Sequence, residues 1–203
     1  MAKAKPSLRF ININRLDATN VKGFQVRIND YTPFVRDLTE ESLKKAIGIR
    51  NQYYIDNHYY VPQICRQPNE LSKKDNTRTT GWHGLSYTTP NEVGAPLVIS
   101  CSVRNLRTGK PHTYSTRVHL FKNETAAMKH ARSVRDKNVK QYNAIVEIYN
   151  EMAFKELIKA AKAEHKTLQP HLHELKGFDQ KRWDKAVKKI FPMGFVSSIE
   201  CKA

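Results

Sequence analysis

A chain of 203 residues, 39% of them hydrophobic, can bury a core of ordinary size in one large domain or two small ones. Thirty-five Lys and Arg stand against 19 Asp and Glu, and a net charge of +16 makes a polyanion the favoured partner. No run approaches the roughly 18 uninterrupted apolar residues of a membrane helix, and the basic start MAKAKPSLRF has no apolar region behind it, so neither a membrane span nor a secretory signal is expected.

Cys65, Cys101 and Cys201 lie far apart with no paired spacing, which argues against a disulfide framework or a zinc knuckle. The expected setting is cytoplasmic and nucleoid-associated, with reduced thiols.

In chain order, a short extended piece, FININR (10–15), comes first. FQVRIND (24–30) then alternates apolar Phe24, Val26 and Ile28 with polar Gln25, Arg27 and Asn29, the period of a half-buried strand. A turn at Asn29-Asp30 leads to a further extended stretch, Tyr31–Arg36. Thr39 precedes Glu40 and Glu41, which places a cap and early acids at the start of a helix. Residues 61–81 hold Pro62, Pro68, Gly81 and the polar run SKKDNTRTT, the composition of a basic linker.

A second series follows. GLSYT (84–88) is extended, and LVISCSVRN (97–105) alternates Leu97, Ile99, Cys101 and Val103 with polar positions. Thr108-Gly109-Lys110 signals a hairpin, TYSTRVHLF (113–121) a third strand, and Asn123 before Glu124 a helix start. The two series share a motif at an offset of 85 residues: LKKAIGIRN (43–51) and MKHARSVRD (128–136) agree at Lys44/Lys129, Ala46/Ala131 and Arg50/Arg135. Each copy therefore reads as strand, strand, strand, helix.

From Val139 onward apolar residues recur at helical spacing, and no Gly or Pro occurs from Glu124 to Gln169, so a long helix continues or follows the second copy. DQKRWDKAVKKIF (179–191) is a further amphipathic helix, and FVSSIECK (195–202) a candidate terminal strand. The expected fold class is α+β: two small modules of a three-stranded antiparallel sheet plus helix (1–60 and 82–140), a linker (61–81) and a helical C-terminal region (141–203).

Charge is unevenly spread. Residues 97–140 carry ten Lys and Arg against Glu124 and Asp136, a balance of +8, whereas residues 9–57 carry eight against six, a balance of +2.

The strand order with its packed helix, and the ending A-x-x-[IV]-R-[ND], resemble the Apetala-type (ethylene-response-factor-like) DNA-binding domain in its bacterial and phage form. The first copy offers Gly23, Phe24, Val26, Ile28, Ala46, Arg50 and Asn51. The second offers Gly84, Leu85, Val103, Phe121, Ala126, Ala127, Ala131, Arg135 and Asp136. The second copy departs from the pattern by lacking an aromatic in its middle strand. The resemblance implies a sheet lying in the DNA major groove, with outward side chains meeting bases and phosphates.

Independently of it, a β-ribbon fits that groove, and Arg suits guanine while Gln or Asn suits adenine. The candidate contacts are Gln25, Arg27, Asn29 and Arg36 in copy one, with Ser102, Arg104, Arg107, Lys110, Ser115, Arg117 and His119 in copy two. Arg104 and Arg117, on neighbouring strands, are the expected base readers; Arg107 and Lys110, at the hairpin, are expected to touch phosphate. Arg50 and Arg135 are expected at helix ends, capping carbonyls or pairing with an acid.

The expected partner is double-stranded DNA, with a homodimer or a protein partner through the C-terminal helices and no membrane. No catalytic residue and no cofactor is expected. Three rival readings remain: RNA binding by the same sheet, with Tyr87 and Tyr114 as the stacking candidates; an adaptor role for the long helix; and a metal-dependent nuclease built on EHKTLQPHLHELK. In that last segment Pro170 interrupts the geometry of His165, His171 and His173, so no metal site is expected.

Overall fold

Alternation in FQVRIND has the consequence it should. In the computed structural model, which describes residues 10–59, 80–88, 94–172 and 177–194, Phe24, Val26 and Ile28 are buried while Arg27 and Asn29 are exposed. Phe24 and Val26 lie in the second half of β2 (Val21–Val26), which begins earlier than the alternation and ends before Ile28. β2 is the middle of an antiparallel sheet between β1 (Ile13–Ala18) and β3 (Phe34–Arg36). Ile13 pairs with Val26, and Phe24 with Val35, so one face of the sheet is apolar.

Helix α1 (Glu40–Asp56) covers that face with Ala46 and Ile47, both fully buried. Its first turn is held as the sequence predicts: the Thr39 hydroxyl accepts the Ser42 amide at 3.1 Å, and Glu40 and Glu41 follow. The third strand is shorter than the expected Tyr31–Arg36, because Tyr31 is drawn into a two-residue turn. Ile28 and Tyr31 exchange backbone hydrogen bonds of 3.0 and 2.9 Å, and Asn29 between them takes the left-handed conformation at φ 52°.

The second sheet repeats this plan with β4 (Leu85–Thr88), β5 (Val98–Arg104) and β6 (Pro111–Arg117), again antiparallel and in sequence order. A single 3-10 turn, Val118–Leu120, leads into α2 (Glu124–Thr167). Asn123 caps that helix through its side-chain oxygen, which accepts the Ala126 amide at 2.9 Å. Ala127 and Ala131 lie against Leu85 and Ile99, small residues that let the helix approach the sheet closely.

The long helix is unbroken for 44 residues and ends at Leu168, left-handed at φ 53°, ahead of Pro170. Its two ends serve different cores. The chain divides into one unit of residues 1–63 and 150–178 and a second of residues 64–149 and 179–203. The C-terminal third, read from sequence as one helical region, is thus shared between the two units.

In the first unit Leu157 and Ala161 of α2, with Leu172, extend the core beneath α1. In the second, helix α3 (Gln180–Ile190) packs Trp183 and Ala186 on Tyr142, Ile145, Val146 and Tyr149. No described helix is long and apolar enough to cross a membrane. The segments 60–79 and 195–203, covering nearly all of the expected linker and the candidate terminal strand, lie outside the described residues.

The expected placement of the Arg-Asn/Asp pair at helix ends needs correction. Arg50 and Arg135 both sit within helices that run on, to Asp56 and to Thr167. Both are buried, and each bonds the oxygen of the next side chain: Arg50 to Asn51 at 2.9 Å, Arg135 to Asp136 at 3.0 Å. Arg50 also donates to the Ile11 carbonyl at 3.1 Å and meets Glu164 at 2.7 Å, both partners of that ion pair being fully buried. The other Glu164 oxygen accepts the His171 and Leu172 amides at 2.6 and 2.8 Å, which ties the end of α2 to the first module.

Candidate nucleic-acid interface

In both modules the helix covers one face of the sheet, and the opposite face carries the polar alternates. On the first sheet the outer rows are Leu16–Gly23–Arg36 and Asn14–Gln25–Phe34. Arg27 continues the same face one step beyond β2, its amide bonded to the Asn12 carbonyl at 2.8 Å. Gly23 is required here: a Cβ would sit 2.1 Å from the Val35 carbonyl oxygen and 2.7 Å from the Phe34 ring, which folds over the glycine. Asn29 lies off the strands, at the turn.

On the second sheet the outer rows are Thr88–Val98–Arg117, Ser86–Ser100–Ser115 and Ser102–Thr113, ending in Arg104–Pro111. Short hydroxyl side chains thus floor the centre of this face. With Trp82, His83 and Gly84 at one edge they line a shallow cavity of ≈ 300 Å³.

The register does not bring Arg104 and Arg117 together. Arg117 pairs with Val98 and Arg104 with Pro111, so they mark opposite ends of β5, roughly 20 Å apart at strand rise. The Arg104 guanidinium also turns toward α2, lying 5.6 Å from the centre of the Tyr142 ring, while Asn138 binds both the Arg104 amide and its carbonyl at 2.8 Å.

Arg107 and Lys110 stand exposed on the hairpin, as expected, but the hairpin is also held from below. Trp183 donates its indole N–H to the Leu106 carbonyl at 3.0 Å, and Gln180 its amide to the Arg107 carbonyl at 3.1 Å. His119 is exposed on the 3-10 turn that follows β6.

The charge concentration of residues 97–140 is redistributed by the fold. Only Arg104, Arg107, Lys110 and Arg117 belong to strands and hairpin. Arg135 is buried beside Asp136, and Arg132 lies flat on Trp82 with its guanidinium 3.2 Å from the ring centre. Lys129, Lys137 and Lys140 project from α2.

The aromatic groups of the second module turn the other way. Tyr87 donates to Glu124 at 2.7 Å, a bond to a carboxylate that raises its pKa, and the Tyr114 hydroxyl meets His130 at 3.2 Å. Both tyrosines are therefore engaged on the helix side, away from the outer face.

A correspondence between the modules, hidden in the sequence, emerges from the hydrogen bonding. Asn12 at φ 59° and Gly84 at φ 79° are left-handed residues at the same step before the first strand. The Asn12 carbonyl accepts Arg27 N–H at 2.8 Å, and the Gly84 carbonyl accepts Ser102 N–H at 2.7 Å. Ile13 bonds back to Phe10, and Leu85 to Trp82, at 3.2 and 3.1 Å. The pairing of Gly23 with Gly84 suggested by the sequence is replaced by this one, since Gly23 lies on the second strand of its sheet.

Following the register outward, Asn14 matches Ser86, Gln25 matches Ser100, Arg27 matches Ser102, Phe34 matches Ser115 and Arg36 matches Arg117.

Among the described residues no group of three His, Cys, Asp or Glu side chains is placed to hold a metal. His171 bonds the Thr167 hydroxyl at 3.1 Å, and His173 lies outside the described residues. No family model, curated protein or solved structure matches the chain.

Proposed function

We propose that this chain binds double-stranded DNA, each module laying the helix-free face of its sheet in the major groove. The observation that carries the reading is the repeated outer face. Two sheets of one design each bury the side toward their helix and leave polar side chains on the other, on a chain of net charge +16. Among the described residues, Gln25, Arg27, Arg36 and Arg117 make no side-chain hydrogen bond or ion pair, which leaves their polar ends available to a ligand.

The major groove admits a β-ribbon, and the serines at the centre of the second outer face keep its relief low. The resemblance to Apetala-type domains supports the same docking. RNA recognition is less well supplied: base stacking needs exposed aromatics, and Phe34, 40% exposed, is the single aromatic on either outer sheet face among the described strands.

Dimethyl sulfate footprinting on a bound duplex tests the docking mode. Protection of guanine N7, a major-groove atom, is the expected result. Protection confined to adenine N3 in the minor groove would overturn it.

A further inference from the structure

The matched positions make the two outer faces comparable residue by residue, and they differ in chemistry. On the DNA-binding reading above, we propose that the first sheet reads sequence while the second positions the protein on the backbone, giving an asymmetric preferred site.

Four of the seven outer positions that the register matches hold a longer, directional or aromatic side chain in the first module and a serine in the second: Asn14/Ser86, Gln25/Ser100, Arg27/Ser102 and Phe34/Ser115. Arg36/Arg117 is common to both, and Leu16/Thr88 and Gly23/Val98 fall outside the pattern. A Gln amide presents donor and acceptor side by side, matching adenine N6 and N7, and a guanidinium matches guanine O6 and N7 in the same bidentate way. A serine hydroxyl rotates, donating once and accepting twice, so it satisfies many base edges or a phosphate and distinguishes them poorly.

The second face also keeps its cations at its margins, with Arg117 at one end of β5 and Arg107 and Lys110 on the hairpin beyond the other. Charge at the two ends and rotating hydroxyls between them suit contacts that hold the backbone without discriminating bases.

The register predicts the order of the site. Along the first sheet, Arg36 stands beside Gly23, then Gln25 beside Phe34, then Arg27. Each step is two residues, about 6.6 Å with strand rise. With the strands running along the groove, an A·T pair read by Gln25 lies between two guanines read by Arg36 and Arg27. Phe34 pairs with Gln25 and its ring folds over Gly23, between Gln25 and Arg36, where a thymine methyl would pack.

Selection from a randomised duplex pool by the full chain tests this, alongside Gln25→Ala, Arg27→Ala and Arg117→Ala. The wild type should enrich an A·T pair with a guanine about two base pairs away on either side. Gln25→Ala should lose the A·T preference by about fivefold or more, and Arg27→Ala the preference at one guanine similarly. Arg117→Ala should weaken every duplex alike and select the same sequence.

If all four proteins bind duplex but Gln25→Ala and Arg27→Ala select the wild-type sequence, or Arg117→Ala alone alters it, the division of labour is wrong and DNA binding stands. Duplex binding by the wild type with no sequence enriched also overturns it. A wild type that retains no duplex removes both readings.

Discussion

Arg36 and Arg117 occupy the same position in two different sheets: each is an exposed residue at the end of a third strand, opposite Gly23 in one case and Val98 in the other. Their surroundings differ, and so should the effects of losing them. Arg36→Ala should cost about 1–3 kcal/mol on the preferred duplex and less on random DNA. Arg117→Ala and Lys110→Ala should weaken both duplexes equally and lower the slope of log K against log salt by about one each. Titrations of the three variants at several salt concentrations separate the two behaviours, and uniform small effects would make the polar faces ordinary surface.

The Arg50–Glu164 pair predicts a different outcome, on stability. Both side chains are fully buried at 2.7 Å, and Glu164 also accepts two backbone amides. Removing one partner leaves the other charge uncompensated, so Glu164→Ala should cost about 3–5 kcal/mol. Replacing both by apolar residues, Arg50→Met with Glu164→Leu, should cost far less than the sum of the single changes. Urea unfolding midpoints of the singles and the double decide this, and an additive double would show that the pair is not coupled.

Much of the fold was legible. Strict alternation in FQVRIND and LVISCSVRN set two middle strands, Thr39 and Asn123 marked helix starts, and the 85-residue offset exposed the repeat, because helices conserve residue spacing. The site was harder, since the offset between matched residues changes wherever a turn differs in length. It is 72 at Asn12/Gly84, 75 at Val26/Cys101, 81 at Arg36/Arg117 and 85 at Arg50/Arg135.

No single alignment reveals the match of Arg36 with Arg117. Asn12 and Gly84 look unrelated until their shared left-handed backbone is seen, a conformation both residue types tolerate. The sequence grouped Arg104 with Arg117 because both have the outward parity of a strand, but parity fixes a face and not a distance along it. Glu164 as the partner of Arg50 was out of reach, being brought there by tertiary packing of the far end of α2.

Cys101 should be chemically silent in the folded protein. It is fully buried on β5, and burial pushes its thiol up to about 11. The unfolded thiol ionises near its ordinary value of 9.0, so the stability due to this group is present below that pH and is lost as pH rises toward about 11. Tyr54, pushed up to about 12 chiefly by burial, extends the loss to higher pH. Alkylation at pH 8 followed by peptide mass analysis should leave Cys101 unmodified until denaturant is added; rapid labelling under native conditions would show that β5 opens readily.

Duplex DNA recognition is decided by equilibrium binding of the full chain to a labelled DNA duplex, its single strand and an RNA of matching sequence across a salt series. The duplex should bind tightest, with log K falling linearly against log salt at a slope of several units, as expected when Lys and Arg displace counterions. Tighter binding to RNA or to the single strand, or no salt-dependent binding to duplex, would contradict it.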